Sequence, residues 1–360
     1  MTRKFNFHAG PSTLPLSVLE ELQAELVEYQ GLGLSLIETS HRSPEYDEVH
    51  NRAMNLVKSL FGLPDNYKVL FLQGGATMQF SMLPMNFLGP NRSADYINSG
   101  AWAKKAIEDA VLYGKVNVLY DGKSSNYMSL PDPESITSSA GAQYLHITSN
   151  ETIGGVQWKS FPRTQAPLVA DMSSDIMSRP LPVDQFAMIY AGAQKNLGPA
   201  GLTLVIIRDD LLAQEQDGIG AYLRYSTHAK NDSLYNTPPV FPIYALSKVL
   251  TWIQNSGGLG AMEQRNREKA QVIYQAIEQT GGFYTCPVDP GVRSDMNIVF
   301  TLADSQLDKP FLQGSEELGM IGLKGHRSVG GFRASVYNAM PLEGAKALAQ
   351  YMVDFAEKKG

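Results

Sequence analysis

The chain has 360 residues, 43% apolar and 18% charged, which is the balance of a globular protein with length for about two domains. Its formal net charge of −6 argues against a general nucleic-acid binder, which would carry a basic excess, yet it leaves room for a local basic pocket. One cysteine, six scattered histidines, no apolar leader and no run of ~18 apolar residues predict a reduced, cytoplasmic protein with no metal site and no membrane span.

The opening segment, Ala9-Gly10-Pro11-Ser12-Thr13-Leu14-Pro15, is rich in turn formers. Ser17 with Glu20 three residues on has the pattern of a capping box. Val18, Leu19, Leu22, Leu26 and Val27 follow at helical spacing, which predicts a helix from Ser17 with these five on one apolar face. Ser43-Pro44 marks a second helix start, because a first-turn proline loses no hydrogen bond. Ala53, Leu56, Val57 and Leu60 continue that helix inward.

From residue 68 the pattern changes. Short runs at 68–72, 95–98, 116–120, 143–148, 167–170, 186–190 and 202–207 read as strands, with helices after Gly74-Gly75 and from Ala101. Runs that are apolar throughout suit strands buried on both faces, so the expected class is α/β with a mainly parallel seven-stranded sheet flanked by helices. The run 202–207 is expected to be antiparallel, because the connection before it is short. After Gly257-Gly258-Leu259-Gly260 a long helix is expected from Met262 to about Gln279. Strands at 298–302 and 332–337 and a helix from Glu343 then read as a smaller α+β unit. The expected division is a large unit, 16–260, and a small one formed by 1–15 and 261–360.

Ligands of parallel α/β sheets gather at the carboxyl ends of the strands. Here those ends carry Gly74-Gly75-Ala76-Thr77, Ser99-Gly100-Ala101-Trp102, Ser149-Asn150-Glu151-Thr152, Asp171 and Gln194-Lys195. A Gly-Gly turn into a helix can hold a phosphate, although alone it is more often only a tight turn. Neither standard nucleotide fingerprint is present. Trp102 can stack on a flat ligand or serve as core. Asp171 ends an apolar strand and can be a functional acid or a cap; Asp175, beyond the strand, is the less favoured acid.

Lys195 stands out, because it lies in a glycine-rich crossing between two buried strands, where a solvated surface charge is hard to place. An amine in an apolar site loses its proton more readily and becomes a nucleophile suited to an imine. Lysine, acid, aromatic ring and helix start together match the needs of pyridoxal 5′-phosphate. A second group is basic: Ser40-His41-Arg42-Ser43, Gly325-His326-Arg327-Ser328 and Arg333. Surface salt bridges are its ordinary explanation. In an acidic chain it also suits a substrate with two anionic groups.

The chain resembles the phosphoserine aminotransferases, fold-type-I pyridoxal-phosphate enzymes, over essentially its whole length. The match is carried by Asn6-Phe7-His8-Ala9-Gly10-Pro11, Ser40-His41-Arg42-Ser43, Phe71-Leu72-Gln73-Gly74-Gly75, Gly100-Ala101-Trp102, Thr148-Ser149-Asn150-Glu151-Thr152, Ala191-Gly192-Ala193-Gln194-Lys195-Asn196, Tyr235-Asn236-Thr237-Pro238-Pro239 and Gly325-His326-Arg327-Ser328-Val329-Gly330-Gly331. The resemblance implies amino transfer from L-glutamate to 3-phosphohydroxypyruvate in serine biosynthesis, giving O-phosphoserine and 2-oxoglutarate. For bacterial members it also implies action on the phosphorylated hydroxythreonine precursor of pyridoxine.

It implies further that pyridoxal 5′-phosphate forms a covalent imine with Lys195, through which a ping-pong reaction runs. Asp171 would pair with the ring nitrogen, Trp102 would stack on the ring and Thr152 would contact the ring hydroxyl. Gly75, Ala76, Thr77 and Gln194 would hold the cofactor phosphate, joined by Asn236 and Thr237 from the second subunit of a homodimer. Arg333 would take the α-carboxylate. Arg327 and His326, with His41 and Arg42 across the dimer, would hold the substrate phosphate or the glutamate side chain. Two readings compete: a related transaminase for uncharged amino acids, which would need no second anion site, and a non-catalytic binder of a phosphorylated metabolite.

Overall fold

The computed structural model describes residues 3–359, and the chain enters through a two-residue strand, β1 (Phe5–Asn6), and a short helix, α1 (Leu16–Glu25). The expected capping box does not form. Pro15 is the N-cap, no side chain caps the helix, and Leu16 is its first residue. Proline holds the entering chain extended there, so the Ser17 hydroxyl falls inside the first turn, past the capping position. The expected apolar face also divides: Val18 and Leu22 are buried, whereas Leu19, Leu26 and Val27 are exposed. The last two lie beyond the final helical residue, Glu25. By contrast α2 (Pro44–Phe61) starts where expected, with the Ser43 hydroxyl accepting from the Tyr46 N–H.

Strand and helix then alternate: β2 (Tyr67–Leu72), α3 (Gly75–Phe87), β3 (Ser93–Asn98), α4 (Ala101–Ala110), β4 (Lys115–Asp121), β5 (Ala142–Thr148), β6 (Leu168–Asp171), β7 (Phe186–Gly192) and β8 (Thr203–Arg208). Every strand lies within two residues of its apolar run. They form one seven-stranded sheet in the order β2-β8-β7-β6-β5-β3-β4. The pairs among β3 to β7 are parallel, and β8 runs antiparallel to both β7 and β2, as expected. A parallel crossover needs a dozen or more residues, usually with a helix, and the link from β7 to β8 has neither. Alternate residues feed two cores: Val69, Phe71 and Ile206 on one face of the sheet, Leu70, Leu72 and Val205 on the other.

The next helices are α5 (Asp209–Leu212), α6 (Tyr225–Lys230), α7 (Val240–Asn255) and α8 (Gly258–Gln279). The last starts four residues earlier than expected. Gly257, in the left-handed region, caps it, and Gly258-Leu259-Gly260 makes its first turn rather than a break. Leu259 and Met262 pack into the core beneath the large sheet, while Ala270, Ile273 and Ile277 belong to a separate core. That second core is completed by β9 (Tyr284–Thr285), β10 (Asn297–Leu302), α9 (Asp308–Glu317), β11 (Met320–Ile321), β12 (Phe332–Ser335) and α10 (Leu342–Lys359).

β12, β10 and β9 form an antiparallel sheet, and β1 pairs in parallel with β11, so Phe7 from the amino-terminal arm is buried in the second core. β12 stops two residues short of the expected end, because the Lys269 ammonium takes the carbonyls of Val336 and Tyr337 at 2.9 and 2.6 Å. Among the described residues no helix is long and apolar enough to cross a membrane, and no cluster of three metal-ligating side chains occurs.

Candidate active site

The carboxyl ends of β2, β3, β5, β6 and β7 lie at one edge of the sheet, and most of the expected residues meet there. Gly75, Ala76, Thr77, Trp102, Thr152, Asp171, Gln194 and Lys195 line a single cavity. Gly74 and Gly75 both adopt left-handed backbone, and a Cβ at Gly74 would lie 2.6 Å from the Cβ of Met78. Only glycine allows the chain to turn directly from β2 into α3 at that point. The first N–H groups of α3 have no partner within the helix and face the cavity with its positive dipole end.

Lys195 follows β7 and is buried, an uncommon position for a lysine. Its Nζ donates to Thr152 Oγ1 at 2.6 Å and lies 5.6 Å from the centre of the Trp102 ring. Burial pulls the amine down to about 8; the Asp171 charge opposes this and the Arg333 charge adds to it. The amino-terminal arm covers the lysine. The Ser12 N–H donates to the Gln194 carbonyl, the Ser12 hydroxyl to that of Lys195, and a Cβ on Gly10 would be 3.4 Å from Lys195 Cγ. The sequence marks this arm as turn-rich and as part of the family match, without placing it over Lys195.

Asp171 ends β6. Its Oδ1 accepts from the N–H and hydroxyl of Ser173 at 2.9 and 2.6 Å, which leaves Oδ2 for a donor in the cavity. Burial raises its pKa, against the bonds from Ser173 and the charge of Lys195. Asp175, the less favoured acid, is occupied elsewhere. Its two oxygens accept from Ser149 and Gln157, and Arg179 lies 3.7 Å away.

Thr148, Asn150, Ser173 and Ser174 also line the cavity. The first two fall in the segment the sequence marks at the end of β5, without a role of their own, whereas Ser173 and Ser174 had not been named; they follow Asp171 at the end of β6, so strand-end position was the signal that could have found them. Two buried polar atoms here have no protein partner, Thr148 Oγ1 and Trp102 Nε1. Unpaired buried donors and acceptors are rare, and they suit a polar ligand. A buried amine, a carboxylate with a free oxygen, an aromatic face and an open helix start fit pyridoxal 5′-phosphate.

The basic residues separate. Arg333 donates to the Thr152 carbonyl at 3.3 Å, and its buried Nε has no partner. With His326 it lines a neighbouring pocket that also includes Ile153 and Gly154. Burial and the charges of Arg333 and Arg327 lower the pKa of His326, whose Nδ1 lies 2.7 Å from the Ser328 hydroxyl. Arg327 and Arg42 are exposed and His41 is half-buried. Asn236 and Thr237 lie on a loop where Gln73 Nε2 reaches the Thr237 carbonyl at 3.4 Å. None of these last five lines the cavity of its own chain.

Residues 4–348 match the family model of the class-V aminotransferases. The chain is 54% identical over 359 residues to the phosphoserine aminotransferase of Niallia circulans, covering 99% of each chain. It is 50% identical over 358 residues to that of Bacillus subtilis strain 168, again covering 99% of each. The solved phosphoserine aminotransferase from Bacillus circulans subsp. alkalophilus is similar at a TM-score of 0.98 and 53% identity over 99% of each chain. A PLP-bound phosphoserine aminotransferase from Trichomonas vaginalis is similar at a TM-score of 0.89 and 37% identity, over 97% of this chain and 99% of that one.

Proposed function

Because the chain belongs to the class-V aminotransferases and, within them, to the phosphoserine aminotransferases, we propose that it transfers the amino group of L-glutamate to 3-phosphohydroxypyruvate. The products are O-phosphoserine and 2-oxoglutarate, and the reaction belongs to serine biosynthesis. The enzyme is a transaminase dependent on pyridoxal 5′-phosphate. When bound, this cofactor supplies an electrophilic carbon for amines and a ring that takes up the electron pair left by a departing Cα proton.

In this reading the Lys195 amine makes the covalent link to the cofactor. Asp171, with Oδ2 left open, would hold the ring nitrogen, and its negative charge would favour the protonated ring. Trp102 would cover one ring face and Thr152 would hold the ring hydroxyl. The start of α3 at Gly75, Ala76 and Thr77 holds the phosphate with Gln194, joined by Asn236 and Thr237 of the partner subunit. Arg333, whose unpaired Nε is buried beside the cavity, takes the substrate α-carboxylate. His326 and Arg327, with His41 and Arg42 of the partner subunit, hold the second anionic group, since a guanidinium fork accepts a carboxylate or a phosphate.

With a free amine beside the bound substrate, Lys195 Nζ would act as general base toward the Cα proton and would hold it for return later in the half-reaction. Thr152 Oγ1 holds Nζ by the 2.6 Å bond, and burial makes the neutral form of the amine far more accessible near physiological pH than in a solvated lysine, although the protonated form still predominates there. The homodimer, the division into units 16–260 and 1–15 with 261–360, a cytoplasmic setting and activity on phosphohydroxythreonine belong to the same proposal.

The single observation that carries it is a buried lysine, with its amine drawn down to about 8, in one cavity with Asp171 and Trp102. The test is the near-visible spectrum of the cofactor-loaded protein. O-phosphoserine should abolish the yellow band and plain serine should not; equal loss with both would remove the phosphorylated substrate. Lys195→Arg should abolish turnover, because a guanidinium with a pKa above about 12 cannot act as the amine. Retained transamination would sink the role of Lys195.

A further inference from the structure

Glu151 is fully buried, carries a carboxylate, and has no part in the reaction as derived. It lies in the turn after β5, next in sequence to Thr152. Its Oε2 accepts from the Trp102 N–H at 3.1 Å, and its Oε1 from the Ala103 N–H at 2.9 Å and the Ser99 hydroxyl at 3.4 Å. Among the described residues no lysine, arginine or histidine forms an ion pair with it. Its charge is met instead by the first N–H groups and the positive end of α4.

α4 has no cap of its own: its N-cap is Gly100, and its first turn has no acidic residue. A local Ser or Asp cap at that position is sterically excluded, because a Cβ on Gly100 would lie 2.6 Å from Glu151 Cδ. The helix is capped instead by a side chain from about fifty positions later. This remote cap ties together two segments that both reach the cavity. One carries the Trp102 ring. The other carries Thr152, whose hydroxyl meets Lys195 Nζ and whose carbonyl meets Arg333. The Trp102 indole N–H has no protein partner, and the bond from its backbone N–H to Glu151 ties this residue to the turn after β5.

We propose that Glu151 is a positioning residue for the cofactor: by capping α4 it sets the place and tilt of the Trp102 ring against the ring it covers. Burial pushes the Glu151 carboxyl up to about 7, against the bonds from Ala103 and Trp102; the Asp171 charge adds to the rise and the Lys195 charge opposes it. The inference rests on the cofactor reading above, and its test separates the two.

The experiment is a double-mutant cycle on pyridoxal-phosphate retention, read from the bound cofactor's visible absorbance and circular dichroism during dilution of the loaded protein. The chains are wild type, Glu151→Gln, Trp102→Ala and the double variant. Gln keeps the volume under Gly100 but turns one acceptor into a donor. Glu151→Gln should weaken retention by roughly tenfold, the scale of one hydrogen bond to a charged group, and should alter the visible dichroism. In the Trp102→Ala background the same change should cost under about twofold, because the residue it acts through is gone.

If Glu151→Gln does not yield folded protein, Glu151→Asp, which withdraws the carboxylate by one methylene, takes its place in the cycle. Retention equal to wild type, or an equal penalty in both backgrounds, overturns the positioning role. Failure of the wild-type chain to take up the cofactor overturns the cofactor reading itself.

Discussion

Gly100→Ala tests the remote cap from its other side. The added Cβ would lie 2.6 Å from Glu151 Cδ, 2.8 Å from Oε2 and 2.9 Å from Cγ. Ordinary contact begins near 3.4 Å, so the carboxylate must retreat by about 0.8 Å, within a core that resists such shifts. A movement of that size directly away from α4 would stretch the bonds from Trp102 and Ala103, now 3.1 and 2.9 Å, beyond good geometry. Overpacking costs about 1–3 kcal/mol and a weakened bond to a buried charge about as much again, so a loss of ~2–5 kcal/mol is expected. That is a large share of the 5–15 kcal/mol typical of a folded domain.

Urea unfolding of the cofactor-free protein, followed by circular dichroism, measures the loss. All three clashing atoms belong to the Glu151 side chain beyond Cβ. In a Glu151→Ala background the alanine at position 100 should therefore cost less than about 1 kcal/mol. A Gly100→Ala protein within ~0.5 kcal/mol of wild type would refute the packing argument. So would an unchanged penalty in the Glu151→Ala background.

Cofactor uptake should depend on pH through Lys195. Only the neutral amine attacks an aldehyde, and burial pulls this amine down to about 8, so uptake by cofactor-free protein should rise about tenfold per pH unit below 8 and level off above it. A rise that continues to pH 10 in stopped-flow absorbance would mean an unshifted lysine. Arg333→Met removes a positive charge that depresses the Lys195 pKa, so the midpoint of that uptake profile should move to higher pH. The same variant should raise the KM for glutamate by about 10- to 100-fold, the scale of a lost charge-assisted bond, and steady-state kinetics at saturating ketoacid would check this.

Much of the sheet was legible because a strand buried on both faces needs a run of apolar residues, which a linear sequence displays directly. The antiparallel setting of β8 followed from the length of one connection. Lys195 could be singled out for a similar reason: its flanking segments are so apolar that its charge has nowhere to be solvated. The first helix was less readable. Ser17 and Glu20 have the spacing of a capping box, but Pro15 sets the entry of the chain, and Leu19, Leu26 and Val27 turn out to be exposed.

Local chemistry and hydrophobic periodicity act over a few residues, so the sequence alone determined the α/β class, the strand positions and the lysine, acid and aromatic ring at the strand ends. Interactions across tens of residues depend on where the chain returns in space, and those only the tertiary structure decided. The return of the arm over Lys195 and the contribution of α8 to two cores are of this kind. So is Glu151, whose three donors all lie about fifty residues before it, a distance at which no spacing rule operates.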